Sequence, residues 1–326
     1  MVVVRTDSAN KDLRFPHMND PDRDPVRLSN SLRRRGAIAL CALAIACAGC
    51  NESRKTKIVV VRERASFQDP QADLKVMERR LSCAGAQSVE LRRSGDTAEF
   101  SFVAPREQIL DLRQILTRPG IFSTTTLVAA RQVPLFLTTL HLRFGREVNL
   151  HPDIPDIERV LAAAALIVPE RRSQVAASLE TVEFITTLEK KAVPAWGRMP
   201  GRFHKDGVDR EGAELFLLPP PEYRNGPLSN DVIDSAVFIA GSDTAMNGVE
   251  LYLSRQGRVA YLEMTQESMG AFVAILVDDQ VQGAAKVVTP ISSDKFWISG
   301  CGSDCRNLAA VLGGGPVRGS WRLVTR

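Results

Sequence analysis

Four residues near the middle of the chain have side chains that could bind a metal ion. His141 and His151 are ten positions apart, and Asp153 and Asp156 follow within five residues. Imidazole and carboxylate groups are common metal ligands, but the sequence lacks the close pairs typical of metal sites, such as H-E-x-x-H or paired C-x-x-C. We therefore interpret the four as scattered loop residues and expect no metal.

The sequence also lacks the motifs typical of nucleophilic catalysis and of phosphate binding. The sequence has no G-x-S-x-G nucleophile motif. Gly313-Gly314-Gly315 follows a predicted helix, whereas a phosphate-binding loop precedes one, so it predicts a helix end. Asp278 and Asp279 fall on a predicted hairpin tip and are interpreted as solvated turn residues. We expect no active site and no cofactor, which predicts a non-enzymatic protein.

Two cysteines near the end of the chain are spaced for a disulfide. Cys301 lies at a predicted strand end and Cys305 in the first turn of a helix, with Gly302 allowing a bend between them. This spacing brings two α-carbons within disulfide reach, whereas a metal site would need two further ligands nearby. We predict a structural disulfide. Cys83, near the end of the first predicted helix, is expected to be a buried free thiol.

The first 49 residues have the order of an export signal. Arg33 to Arg35 precede an apolar run, residues 36–46, that is too short to span a bilayer. The run ends in Ala48-Gly49-Cys50, which resembles the bacterial lipobox and implies cleavage before Cys50 and a lipid on its sulfur. Cys47 stands where the motif usually has leucine and is the rival lipidation site. An ordinary signal peptide cut nearby is the other alternative.

Export also changes the charge of the chain. Residues 1–49 hold 8 basic and 5 acidic residues, so their removal leaves 34 basic and 33 acidic residues and lowers the formal net charge from +4 to +1. A nearly neutral exported protein is a poor candidate for nucleic-acid binding. We expect a periplasmic protein attached to a membrane through its N-terminal lipid only. Asn51 differs from the Asp associated with inner-membrane retention, which favours the outer membrane.

Residues 57–128 have the pattern of a split βαβ unit. The predicted elements are a strand at 57–64, a helix at 69–84, strands at 88–93 and 97–103 joined by Ser94-Gly95-Asp96, a helix from Pro105 to Pro119 and a strand at 121–128. This order of elements is that of the ferredoxin-like fold.

The remaining residues divide into a stretch with a less clear secondary-structure pattern and a second region of strands and helices. Residues 153–192 are predicted to be helical in two pieces broken at Pro169, and 195–230, rich in Pro and Gly, to be extended connection. Beyond residue 231 the predicted strands are 236–240, 249–254, 271–277, 281–288, 296–299 and 320–325, and the predicted helices are 257–269 and 304–312. The chain is therefore assigned to the α+β class.

The second region resembles the first periplasmic domain of SecD, a protein-export subunit of the SecDF family. Gly248-Val-Glu-Leu-Tyr-Leu253 leads into Gly257-Arg-Val-Ala-Tyr-Leu-Glu-Met-Thr-Gln-Glu-Ser-Met-Gly270 and then Phe272-Val-Ala-Ile-Leu-Val-Asp-Asp-Gln-Val281. The similarity continues in Val287-Val-Thr-Pro-Ile291, in Ile298-Ser299-Gly300 and in the helix at 307–312. Upstream, residues 72–99 and 227–236 are similar to the base of that domain and to the entry of its head subdomain.

The resemblance implies a ferredoxin-like base with an inserted smaller α+β head. The implied boundaries are 1–49 for a signal peptide with lipobox, 50–128 for the base, 129–230 for a helical and Pro/Gly-rich connection, 231–318 for the head and 319–326 for a final strand that returns to the base. SecD continues into membrane helices that couple proton flow to movement. Because this chain ends at Arg326 without them, we expect a lipid anchor in their place and no use of the proton gradient.

Two functions of different classes are consistent with these sequence features. The SecD domain is thought to catch polypeptide emerging from the translocon, which implies a polypeptide-binding export accessory whose partner is unfolded or exported polypeptide. The alternative is a structural module that docks on an envelope protein complex through residues 129–230.

For the first function, strand 272–277 is apolar on both faces, so a binding surface must come from its rim. We assign polypeptide binding to a sheet edge or to apolar residues around Phe272 and Trp297. Burial of Trp297 in the head core is the alternative.

Overall fold

The computed structural model describes residues 53–63, 69–145, 148–150, 162–205, 208–224, 226, 228–241, 247–299, 301 and 304–324. Within these residues, fourteen strands and seven α-helices form three sheets with helices packed against them. The α+β class predicted from the sequence is confirmed. Every helix in this part of the chain is too short or too polar to cross a lipid bilayer.

A four-stranded antiparallel sheet forms the base. Its strands are β1 (Ser53–Arg62), β2 (Gln87–Ser94), β3 (Thr97–Pro105) and β14 (Trp321–Val324), in the order β14-β1-β3-β2. Helices α1 (Pro70–Cys83) and α2 (Ile109–Thr117) pack on one face. Alternate strand residues such as Val60 and Phe100 bury their side chains against Leu74 and Leu112 of these helices. The base therefore has its own apolar core.

The fourth base strand is not the one that the order of elements predicts. The predicted strand 121–128 corresponds to β4 (Phe122–Thr126), which pairs with β11 (Phe272–Val277) in a different sheet. Strand β14 pairs with β1 in its place. Gly120, with a φ of +72°, turns the chain away from the base after α2, and a side chain there would collide with the Arg80 guanidinium. The prediction was wrong because a local pattern identifies a strand without identifying its partner.

A seven-stranded mixed sheet connects the head to the middle of the chain. Its order is β4-β11-β12-β7-β8-β6-β5, where the further strands are β5 (Val148–Leu150), β6 (Ala165–Ile167), β7 (Val193–Lys205), β8 (Val208–Leu218) and β12 (Gln280–Lys286). Strands β7 and β12 are parallel, and the other neighbours are antiparallel. Helices α3 (Pro134–Phe144), α4 (Arg172–Leu179) and α5 (Val182–Thr187) share a core with β6 and β8. Phe184 lies between Phe136 and Phe144 at the centre of that core.

The described residues of 129–230 therefore form a packed unit, and their interpretation as a connection was wrong. Strand β7 contains Pro194, Gly197 and Pro200, which indicated turns in the sequence. A register shift between Trp196 and Pro200 accommodates Gly197 and Pro200, because proline cannot donate a ladder hydrogen bond and a bulge leaves one position of the ladder unpaired. Pro194 is the second residue of the strand and pairs with Leu217 before this shift. Strand β6 also replaces part of the predicted helix 153–192. Residues 153–161 of that helix lie outside the described part of the chain.

The head contains a three-stranded antiparallel sheet covered on one face. Strands β9 (Ile233–Ile239), β10 (Gly248–Leu253) and β13 (Lys295–Ser299) have the order β13-β10-β9, and the helices are α6 (Arg255–Glu267) and α7 (Cys305–Gly314). Ser254 begins α6, and its hydroxyl oxygen accepts a hydrogen bond from the Gly257 amide. Helix α7 contributes Leu308 and Leu312 to the head core and Val311 to the base core. This one helix therefore packs against both.

Arg80 on α1 holds the two chain segments that cross between base and head. Its buried guanidinium donates to the carbonyl oxygens of Ile115 and Pro119 at 2.8 Å each, and also to that of Arg118. It donates to the carbonyl of Gly315 at 2.6 Å. Burial lowers the pKa of Arg80 to about 10, so the side chain stays charged at neutral pH.

Asp73, two turns earlier on α1, holds the returning segment. Its carboxylate accepts hydrogen bonds from the amides of Arg318 and Gly319 at 2.9 and 2.8 Å and from Trp321 Nε1 at 3.0 Å. Helix α1 thus fixes where the chain leaves the base and where it returns.

We expect Arg80→Met to lower the free energy of unfolding by at least about 3 kcal/mol, because several buried carbonyl groups lose their donor. Urea denaturation followed by circular dichroism measures this. The matched control is Arg79→Met, at an exposed neighbouring position, which should change stability by no more than about 0.5 kcal/mol. Equal effects of the two substitutions would contradict the assignment.

Candidate functional site

The three-stranded sheet of the head packs one face on the head core, and we call its other face the outer face. Alternate residues such as Val249 and Ile298 point into the core, so their neighbours point outward. The outward side chains are those of Val237, Ile239, Glu250, Tyr252, Lys295 and Trp297. Val237 and Ile239 are 43% and 36% exposed. This outer face combines an apolar strip with a small charged group.

Trp297 lies on this outer face, half-buried and outside the head core. Its indole rests on the β10 backbone at Gly248, where a Cβ atom would collide with the ring. The carbonyl oxygen of Ile298 also lies close to that position. Glycine at position 248 therefore leaves room for the indole, because the side chain of any other residue would displace the ring.

The charged side chains on the outer face neutralise one another. The Tyr252 hydroxyl donates to Glu250 Oε2 at 2.6 Å, and Lys295 Nζ lies 3.5 Å from Glu250 Oε1. The same ammonium lies 5.1 Å from the centroid of the Tyr252 ring. The hydrogen bond to Glu250 raises the pKa of Tyr252, and the Glu250 charge raises the pKa of Lys295. One carboxylate and one ammonium cancel, which leaves the face without net charge.

Strand β13, which carries Trp297, is an edge strand. Within the described residues it pairs with β10 alone, so its other side presents backbone groups to which an extended chain can add. Phe272, the other residue assigned to polypeptide binding, begins β11 opposite Lys286 and is half-buried. The two predicted binding residues therefore lie in different sheets.

A second cluster of charged residues lies where the base, the head and residues 129–230 meet. Arg118 Nε donates to Asp278 Oδ2 at 2.8 Å, and Asp278 Oδ1 accepts from the Ile121 amide at 2.8 Å. Arg118 and Arg198 both pair with Asp304. Burial and the nearby Arg118 lower the pKa of Arg198 to about 10. Two arginines compensate two aspartates, as in a structural connection.

This cluster corrects the interpretation of Asp278 as a solvated turn residue. Its carboxylate pairs with a residue 160 positions earlier in the chain. The adjacent Asp279 is exposed, and its carboxylate pairs with Arg224 at 3.0 Å. No sequence signal links Arg118, Arg198 and Asp304, because they come from three different units.

Of the four residues considered for metal binding, the structure describes His141 alone. His141 is exposed on α3, and His151, Asp153 and Asp156 lie outside the described residues. Across the portion of the chain with described positions, no three His, Cys, Asp or Glu side chains lie close enough to hold a metal ion.

The cysteines in the described part of the chain occupy two different environments. Cys301 and Cys305 are joined by a disulfide, with their α-carbons 4.9 Å apart, and the bridge encloses Asp304 in its loop. Cys83 is exposed at the end of α1, so the expectation of a buried thiol was wrong. The sulfur is nevertheless partly shielded, which raises its pKa although Arg79 opposes the shift. Cys47 and Cys50 lie outside the described residues.

Comparison with known proteins agrees with this architecture. Residues 223–318 match the family model of the SecDF P1 head subdomain. This part of the chain is therefore similar to the head subdomain of SecDF. A crystal structure of SecDF in its super-membrane-facing form aligns with 90% of this chain and 34% of that chain, at 14% identity and a TM-score of 0.50. This chain thus spans about a third of the length of that SecDF.

Two further SecDF structures are similar to this chain, at 14% identity. One, from work on a membrane component SecDF that enhances protein export, covers 83% of this chain and 99% of that chain with a TM-score of 0.47. The other, a translocon-associated membrane protein from Thermus thermophilus, covers 90% and 35% with a TM-score of 0.30. At this identity the likeness concerns the fold alone. No curated protein sequence matches the chain.

We expect the double substitution of Cys301 and Cys305 by Ser to lower the free energy of unfolding by about 1–2 kcal/mol, because the bridge closes a short loop and removes little chain entropy. Chemical denaturation measures this, with Cys83→Ser as the control that leaves stability within about 0.5 kcal/mol. Mass spectrometry after non-reducing digestion of the exported protein should find the bridged peptide. Two free thiols there would refute the disulfide.

Proposed function

We propose that this protein is a lipid-anchored, non-enzymatic accessory of protein export whose SecD-like head binds extended polypeptide. One observation carries the proposal: Trp297 on the edge strand β13 rests on Gly248 of the central strand β10, on the same face that exposes the apolar residues Val237 and Ile239. The match to the SecDF head subdomain supports an association with protein export.

The geometry favours binding by addition of a strand to β13. The backbone of an incoming chain can hydrogen bond to the free edge, whatever its sequence. Alternate side chains of that strand then project over the outer face, next to Trp297. Since Glu250 and Lys295 neutralise one another, apolar side chains gain the most from this surface. Binding should be weak, tolerant of sequence and only mildly dependent on salt.

A non-enzymatic role is consistent with how the charged groups are used. The carboxylates of Asp73, Asp278 and Asp304 are each committed to backbone amides or arginines. A carboxylate whose oxygens are occupied by structural partners is poorly placed to act as a general base, because it must reach the proton that it abstracts.

We expect the purified protein to bind a reduced, carboxymethylated unfolded protein with a dissociation constant no weaker than about 1 mM. Anisotropy of a fluorophore on the unfolded ligand measures binding, and the folded form of the same ligand is the first control. Trp297→Ala should weaken binding about 5- to 30-fold, which corresponds to about 1–2 kcal/mol for a buried aromatic anchor. Gly248→Leu should have a similar effect, because it displaces the indole.

The matched control is Trp196→Ala, which removes the half-buried tryptophan that lies beside Arg172 in the unit formed by residues 129–230. It should leave polypeptide binding unchanged. Absence of binding up to about 1 mM, or equal losses in the two tryptophan variants, would be evidence against the head surface.

A second candidate function is docking on another envelope protein through residues 129–230. Helices α3 and α5 of this unit expose Leu135, Leu142, Val182 and Ile185, of which Leu142 is 79% exposed. Exposed apolar groups of this kind are typical of protein contacts. If docking is the function, Leu142→Asp with Val182→Asp should abolish co-purification of an envelope protein that the Trp297→Ala variant retains.

We propose Cys50 as the lipidated residue that attaches the protein to the membrane. Cys50→Ser should abolish labelling by a fatty-acid analogue and move the protein from the membrane fraction to the soluble periplasmic fraction. Cys47→Ser is the control and should leave both properties intact. Persistent labelling of Cys50→Ser together with loss of labelling in Cys47→Ser would assign the lipid to Cys47.

A further inference from the structure

One end of the base collects exposed basic side chains. Strand β1 begins at this end and β3 finishes there, because Ser53 lies opposite Pro105 in the sheet. Helix α1 ends and β2 begins at the same end, since Gln87 lies opposite Val103. We call this surface, formed by residues 53–55, 79–88 and 103–111, the basic end.

The charges of the basic end are mainly positive. Its exposed basic side chains are those of Arg54, Lys55, Arg79 and Arg106. The acidic residues within the same three segments are Glu107 and Asp111. In the first turn of α2, Leu110 is 68% exposed. A cationic surface with an exposed apolar side chain is complementary to the headgroup region of an anionic bilayer.

The position of the proposed lipid places this surface beside a membrane. Cys50 precedes Ser53, the first residue of β1, by three positions. Three residues span at most about 10 Å when fully extended. This limit is close to the distance of about 8 Å over which charges interact at physiological ionic strength. A lipid on Cys50 would therefore hold the basic end within reach of the lipid headgroups.

We propose that the basic end of the base is a docking surface for anionic phospholipid headgroups. The inference rests on the proposed lipid anchor at Cys50. It gives the protein one orientation, because the chain leaves for the head at the opposite end of the base, after α2 and before β14. A strand of ten residues rises about 33 Å, so the head would stand on the order of 30 Å from the membrane surface.

The test uses the processed, lipidated protein in vesicles, with a fluorophore on the exposed thiol of Cys83 at the basic end. The labelling reaction is run at alkaline pH because partial burial of the sulfur raises the pKa of Cys83. Flotation with the vesicles reports attachment, and quenching by lipids with a nitroxide on the headgroup reports contact. We expect quenching at least about twofold stronger in vesicles of phosphatidylglycerol and phosphatidylethanolamine than in phosphatidylcholine, because anionic headgroups attract basic residues.

A charge-reversed variant tests the surface itself. Arg54→Glu, Lys55→Glu and Arg106→Glu together should reduce quenching in the anionic vesicles to the level seen in phosphatidylcholine. The matched control reverses three exposed basic residues of the head and should leave quenching unchanged. Its substitutions are Arg255→Glu, Arg258→Glu and Lys286→Glu.

The outcomes separate this inference from the proposal on which it rests. Loss of flotation would overturn the lipid anchor and the docking surface together. Flotation with equal quenching in the two kinds of vesicle, or with no change in the charge-reversed variant, would overturn the docking surface and leave the anchor intact. Polypeptide binding by the head is unaffected by either result, since it is measured without membranes.

Discussion

The Arg80 guanidinium donates hydrogen bonds to carbonyl groups on both chain segments that cross between base and head. A charge buried in this way is tolerated only when its donors are satisfied, and these donors have main-chain partners. Asp73 satisfies amides of the returning segment from the same helix. Because a head inserted within a base must leave and return, the placement of the head on the base depends on these two side chains of α1.

The charged cluster at the junction extends this constraint to the third unit. Arg118 follows α2 in the base, Asp304 precedes α7 in the head, and Arg198 belongs to β7. The Cys301 to Cys305 disulfide restricts the loop that carries Asp304. A carboxylate held between two arginines links three units, so their relative placement depends on covalent and electrostatic contacts in addition to apolar packing.

The outer face of the head differs from this junction in its chemistry. Its charges are paired within a single sheet, and its largest side chain rests on a glycine of the neighbouring strand. A surface of this kind has little electrostatic preference and one aromatic anchor, which suits ligands of variable sequence. With the basic end of the base at the membrane, the head that carries the proposed binding surface would stand away from the lipid.

The sequence by itself determined the local elements of base and head and the class of the protein. Apolar alternation and turn residues locate β1, β10, β11 and α6 because these signals act between near neighbours. The same logic failed for β7, since Gly197 and Pro200 indicate a turn unless pairing with a distant strand accommodates them in a bulge. The tertiary structure alone decided that β4 pairs with β11, that Asp278 pairs with Arg118, and that Trp297 sits outside the core. Those outcomes depend on contacts between residues far apart in the chain, whose free energy no local pattern contains.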